Sequence, residues 1–189
     1  MKPIIARTNS GLIGLPFGST QSEVSRAFGE SPTVVDKIGR KYEFFRTGAL
    51  SIQYDRKGQF EAVEFHPPTV PGSDPDAISV DDVFIEIGDE GVLPFRMSAW
   101  EFLDWIRLRD PGVTVDHAGF KSMRLGVGTY ADWLTDPSGL RRETDSVKTV
   151  MVFREGYYSE SAFLEATDQI NAWLRANGMD PPPPERKKK

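Results

Sequence analysis

Few residues in this chain could do acid–base or metal chemistry. There are two histidines, His66 before Pro67-Pro68 and His117 in the turn-like stretch VDHAGF, and neither belongs to an HExxH or HxH pattern that would seat a metal. Cysteine is absent, which removes disulfides, thiolate nucleophiles and cysteine zinc sites. No Gly-x-Ser-x-Gly elbow presents a serine nucleophile. Gly126-Val127-Gly128 lacks the third glycine of a dinucleotide loop, and GLIGLPFG (Gly11–Gly18) is not followed by the Lys-Ser/Thr of a phosphate-binding loop. Carboxylates such as Asp55 and Glu64 could serve as acid and base, but no spacing singles them out. The expectation is a protein that is not an enzyme and needs neither cofactor nor metal.

The carboxylates are richer in pattern. DPDAISVDDVFIEIGDE (Asp74–Glu90) carries seven of them and no Lys or Arg. A calcium site would want several oxygens around one ion, yet the loop spacing of an EF-hand is missing and a regular strand cannot wrap its side chains around a cation. Two readings remain open: a solvated connector, or an anionic patch that speeds encounter with a basic partner. Asp81, Asp82, Glu86, Asp89 and Glu90 are the residues of such a patch.

Aromatic residues make up 11% of the chain. Core packing accounts for most of them. Tyr42 and Phe44 alternate onto the strand face opposite Phe45, next to Arg46, so that strand is aromatic on both sides. Tyr130, Asp132 and Trp133 begin a long polar hairpin, where Trp133 is the expected exposed anchor of an interface.

Lys and Arg total 23 against 28 Asp and Glu, a net charge of −5. The terminal RKKK holds four of those cations, so the remainder stands at −9, a poor surface for phosphate backbones and for nucleic acid generally. No apolar run approaches the ~20 residues of a membrane span, and the N-terminal MKPIIARTNSG is too short for a signal h-region. A cytoplasmic protein is expected, ending in a disordered tail over 179–189 where PPPPERKKK is Pro-rich and basic.

These residues must be positioned by local elements, and Leu-Pro-Phe marks two of them. It occurs at Leu15–Phe17 and at Leu93–Phe95. Thr20 and Glu23 follow the first, Ser98 and Glu101 the second, each at the spacing of a capping box. Val24, Ala27 and Phe28, and likewise Phe102, Trp105 and Ile106, then recur at helical spacing. Strands are expected at Lys41–Thr47, Ala49–Asp55, Phe60–Phe65, Asp82–Gly88, Lys121–Tyr130 and Ser146–Phe153, with a hairpin turn at DRKG (Asp55–Gly58) and a long hairpin over Ala131–Asp145. Ser161–Gly178 has the strongest helical periodicity, with Phe163, Ala166, Ile170, Trp173 and Leu174 on one face. The expected fold is α+β: two tandem units of a short helix packed on an antiparallel sheet, over 1–73 and 74–178, with a C-terminal helix closing the second.

GLPFGSTQSEVSRAFGESP resembles the Gly-x-Thr-x-x-Glu-Val…Phe-Gly-x-Pro motif of the small α+β unit in SmpA/OmlA outer-membrane lipoproteins, which occurs in tandem in the β-lactamase inhibitor protein. Gly18, Thr20, Glu23, Val24, Phe28, Gly29 and Pro32 carry the likeness, which covers mainly residues 14–66. The second copy departs from it, with Arg96 in place of Gly18 and Arg109–Gly112 in place of the Phe-Gly-x-Pro ending. The lipoproteins' secretion signal and lipid-site cysteine are missing as well. MVFREGYYSES is similar to stretches in actinobacterial proteins of the kind encoded beside secreted toxins. The resemblance implies a fold, with a sheet face that grips a partner; the absent catalytic motifs, the acidic body and that broad face lead to the expectation of a protein-binding inhibitor or immunity-type protein that occludes a basic toxin or enzyme. A small-molecule or carbohydrate-binding domain, using aromatics in a sheet cleft, is the alternative.

Overall fold

The computed structural model describes residues 4–29, 32–37, 40–45, 49–66, 83–116, 119–131 and 146–158, with 171–172, 175–176 and 178 near the C-terminus. Among these the chain runs β1 (Ile4–Arg7), β2 (Gly11–Leu12), β3 (Leu15–Pro16), α1 (Gln21–Phe28), β4 (Thr33–Lys37), β5 (Arg40–Phe45), β6 (Leu50–Tyr54) and β7 (Phe60–Phe65). It continues through β8 (Val83–Ile87), β9 (Glu90–Val92), a 3-10 turn at Pro94–Arg96, α2 (Ala99–Arg107), β10 (Thr114–Asp116), β11 (Gly119–Ser122), β12 (Val127–Ala131) and β13 (Val147–Phe153).

The tandem helix-on-sheet expectation is overturned by the pairing. The strands form two sheets, one of five in the order β3-β2-β1-β8-β9 and one of eight in the order β10-β11-β12-β13-β7-β6-β5-β4. Strands from the two halves of the chain meet in both. β7 pairs with β13 antiparallel, Val63 opposite Val152, and β1 pairs with β8 parallel, Ala6 opposite Ile85. The physical reason is edge satisfaction: β7 and β13 would each end a four-stranded sheet with a row of unpaired amides and carbonyls, and joining them removes both edges. The molecule is accordingly sheet-rich. The two Leu-Pro-Phe tripeptides also differ, since Leu15–Pro16 is strand β3 while Pro94–Arg96 is a 3-10 turn. Phe17 packs against Phe60 of β7, with ring centroids 4.8 Å apart and the rings tilted by 59°.

Both helix starts are capping boxes. The Thr20 hydroxyl accepts from the Glu23 amide, whose carboxylate accepts from the Thr20 amide at 2.7 Å, and Ser98 and Glu101 repeat the arrangement. The backbone hydrogen bonds at Thr20 and Ser98 hold both carboxyls below the usual glutamate range. Thr20→Ala and Ser98→Ala should each lower stability by about 0.5–2 kcal/mol, read as a fall in the urea midpoint. α1 stops at Gly29, whose φ of 68° most side chains resist. One core cluster contains Val24, Leu50, Ile52, Val63 and Phe65 together with Phe102, Ile106, Val127, Val150 and Val152.

Lys121–Tyr130, expected as one strand, is a hairpin: β11 ends at Ser122 and β12 starts at Val127. Asp110 anchors the intervening turn. Its carboxylate accepts from the Ser122 hydroxyl, from the Gly112 amide at 3.1 Å and from Arg124 Nε at 3.3 Å. The Ser122 hydrogen bond, with the Gly112 amide and Arg124, outweighs burial and holds this carboxyl below the usual aspartate range. Of the helix expected at 161–178, Asn171, Ala172, Arg175 and Ala176 are helical, and the other positions, apart from Gly178, lie outside the described residues. The tail at 179–189 and the long hairpin at 132–145 lie outside them too.

Candidate functional site

Strand register divides the eight-stranded sheet into two faces. Phe45, Leu50, Ile52, Val63, Phe65, Val150, Val152, Val127 and Phe120 lie on one side and form the core. Both helices cover this inner face: Phe28 of α1 stacks on Phe45 at 4.5 Å, and Phe102 of α2 meets Phe120 at 5.4 Å. Gln21 of α1 donates to Glu43 at 2.9 Å, and the Tyr54 hydroxyl donates to the same buried carboxyl.

Burial, reinforced by Glu43, pushes the Tyr54 phenol well above its usual range. The folded chain therefore holds this proton more tightly than the unfolded one, whose phenol titrates near 10. The resulting stability is complete below that pH and is lost as pH rises above it. Tyr54→Phe should flatten the alkaline fall in the urea midpoint. At neutral pH it should lower stability by about 1–3 kcal/mol, because Glu43 loses a donor.

On the outer face one register row crosses all eight strands: Thr114, Lys121, Gly128, Met151, Glu64, Ser51, Phe44 and Thr33. The parallel row through Gly119, Tyr130 and Thr149 lies beside it. Where the rows pass over β11, β12, β13 and β7 they enclose a cleft of about 110 Å³. Glu64 lines one end and Lys121 the other, and Gly128, with no side chain, lies between them in the row. Tyr130, 57% exposed, and Tyr158, 43% exposed, flank it with Met151. The Lys121 ammonium lies 5.1 Å from the centre of the Tyr158 ring, whose hydroxyl is 3.6 Å from Met151 Sδ. Gly119 is required by contact, since a Cβ there would lie 1.9 Å from the Thr129 carbonyl oxygen. Thr149 also lines this cleft, and its hydroxyl oxygen is buried with no hydrogen-bond partner among the described residues.

The residues singled out by sequence separate into three groups. Asp81, Asp82, Asp132, Trp133 and Arg46 lie outside the described residues. Glu86, Asp89 and Glu90 belong to the β8–β9 hairpin of the five-stranded sheet. There Glu86 pairs with Arg7 at 2.6 Å and Glu90 with Arg109, so much of their charge is matched inside the molecule, while Asp89 is exposed. Tyr42, Phe44 and Tyr130 share the outer face of the other sheet; Tyr130 borders the cleft, and Tyr42 and Phe44 are half-buried on β5. Among the described residues, the acidic and aromatic candidates therefore lie on different sheets. Nothing in the sequence marks Thr149, Met151 or Lys121, and Glu64 stands out there only as one carboxylate among many. The available signal is alternation: positions 128 and 130, 149 and 151, and 62 and 64 each point to one face once the pairing is known.

His66 adds a polar group beside the cleft. Its Nε2 lies 3.5 Å from Ser51 Oγ and 3.4 Å from Glu64 Oε2. A serine–histidine–acid relay engages the two ring nitrogens separately, whereas here both partners face the same one. Ser51 is moreover only 1% exposed. This cluster is not built as a nucleophile relay. No group of three or more His, Asp or Glu able to hold a metal occurs among the described residues, and none of the described helices is long and apolar enough to cross a membrane. His117 lies outside the described residues.

Site and fold together define a sheet-rich protein with a small, mixed-polarity cleft on the outer face of its eight-stranded sheet. No family model, no curated protein and no solved structure matches the chain.

Proposed function

We propose that the protein works by binding another protein, as an inhibitor or immunity-type protein that occludes a basic toxin or enzyme with the β11–β13 side of its outer sheet face. The observation that carries this reading is Tyr130, a large ring 57% exposed at the edge of a cleft, on a strand held from both sides. Exposed aromatics on rigid elements are the usual anchors of protein interfaces. The cleft's size argues the same way, since sites for drug-sized ligands run to roughly 300–1,000 Å³, far more than the 110 Å³ present. The acidic net charge supports a basic protein partner.

A photo-crosslinking residue at position 130, with a control at the exposed Ser22 of α1, tests the reading in extract of the native organism. A protein captured from 130 and not from 22 should form a complex with the purified chain and lose activity in it. Tyr130→Ala should weaken that complex by about 2 kcal/mol or more, mainly through a faster off-rate seen by surface plasmon resonance. Equal capture from both positions, or unchanged affinity in the variant, would remove the outer face as the interface.

The orphaned Thr149 hydroxyl favours a second reading, in which the cleft takes a small hydroxyl-bearing ligand such as one sugar unit stacked on Tyr130. Saturable binding of methyl glycosides with no protein partner would decide for it.

A further inference from the structure

The polarity of the cleft indicates what enters it. At one end the Glu64 carboxylate has, among the described residues, only His66 Nε2 within ion-pair distance. Thr149 is its diagonal neighbour across the β7–β13 pair, because Met151 opposes Glu64. The Thr149 hydroxyl oxygen is buried and has no hydrogen-bond partner among the described residues, unlike most buried hydroxyls. Lys121 lies at the other end, with Gly128 and Met151 between it and Glu64 in the row. Three strand steps of ~4.8 Å place the two about 14 Å apart, beyond the ~8 Å screening length at physiological salt. Its ammonium is already set over the Tyr158 ring. The Glu64 end is thus an acceptor site walled by apolar surface.

We propose that this cleft receives one basic side chain of the partner protein, an arginine or lysine, whose aliphatic stem lies along Tyr130 and Met151 and whose head donates to Glu64 and Thr149. The inference rests on the protein-binding reading above and gives it a recognition chemistry. An arginyl or lysyl side chain matches the cleft in each respect: a single chain fits the volume, its stem suits an apolar wall, and its several donors can reach a carboxylate and a hydroxyl together.

The test is a titration of the full-length protein with N-acetyl-arginine N-methylamide, followed by amide NMR. Saturable shifts are expected at Gly128, Thr149 and Met151, with affinity about tenfold or more above that of the norleucine counterpart, as for a hydrogen bond to a charged group. Glu64→Gln should weaken the arginyl probe by about tenfold or more. Thr149→Val should weaken it by a few-fold while leaving the urea midpoint unchanged or higher, since it removes an unsatisfied group. No saturable shift, equal binding of the norleucine probe, or indifference to both variants overturns the pocket. The wild-type titration needs no variant to fold. If the titration fails while Tyr130 still captures a partner, the pocket falls and the interface stands. If the titration succeeds and the capture fails, the pocket is supported and the protein-binding reading falls.

Discussion

Phe65→Ala should destabilise the protein by about 3–5 kcal/mol, the range for removing a fully buried aromatic ring. Phe65 is 0% exposed and sits at the seam of the eight-stranded sheet, opposite Leu50 on β6 and Val150 on β13. Its ring is shared by both strand sets, so the cavity opens between them, and no single element can move in to fill it. The check is equilibrium urea unfolding followed by two probes: fluorescence of the four tryptophans, and far-ultraviolet circular dichroism for the sheets. One transition at a lower midpoint is expected. Two separated transitions would mean that the halves unfold independently and that the seam contributes little.

The second large effect is expected at Gly126. Alanine there would take a φ of 68°, a left-handed conformation costing a side chain about 1–2 kcal/mol. Its Cβ would also lie 2.3 Å from the Phe153 carbonyl oxygen and 2.4 Å from Asn9 Oδ1. The carbonyl belongs to a strand that donates back, Phe153 N to Gly126 O at 2.9 Å, so it cannot swing aside without breaking the β12–β13 start. Adding roughly 1–3 kcal/mol for overpacking, Gly126→Ala should cost about 2–5 kcal/mol. Gly128, two residues on, is the control. A Cβ there would meet nothing closer than 3.5 Å, so Gly128→Ala should change stability by less than about 1 kcal/mol. It should instead weaken partner binding, because the methyl would narrow the cleft. Equal unfolding midpoints for the two variants would contradict the turn geometry at 123–126.

These glycines illustrate how much of the molecule is legible in its sequence. Gly126-Val127-Gly128 fails as a dinucleotide loop on spacing, but its positive role lies in contacts that spacing does not report. Gly126 makes room for Phe153, distant in sequence, and Gly128 leaves a gap between Lys121 and Met151. The candidate site behaves similarly. Tyr130 is visible as an aromatic beside a turn, whereas Glu64, Thr149 and Lys121 come from three separate strands and become neighbours only through pairing. Glu86 and Glu90 look like free charge because Arg7 and Arg109, which pair with them, are far away along the chain.

By itself the sequence determined the local features. Thr20 with Glu23 and Ser98 with Glu101 start helices because each box is closed within four residues by its own side chains and amides. Phe60–Phe65 and Val147–Phe153 are strands, as β-branched and aromatic residues at these positions favour. The lack of cysteine closes off thiolate and disulfide chemistry whatever the fold. Tertiary structure alone decided that β7 and β13 join two strand sets into one sheet, that β1 lies parallel to β8, and that Thr149 and Glu64 line one cleft. The reason is that strand edges carry the same amides and carbonyls whatever the sequence. Which edges meet depends on the whole set of faces that must be buried together, and no short stretch of residues contains that information.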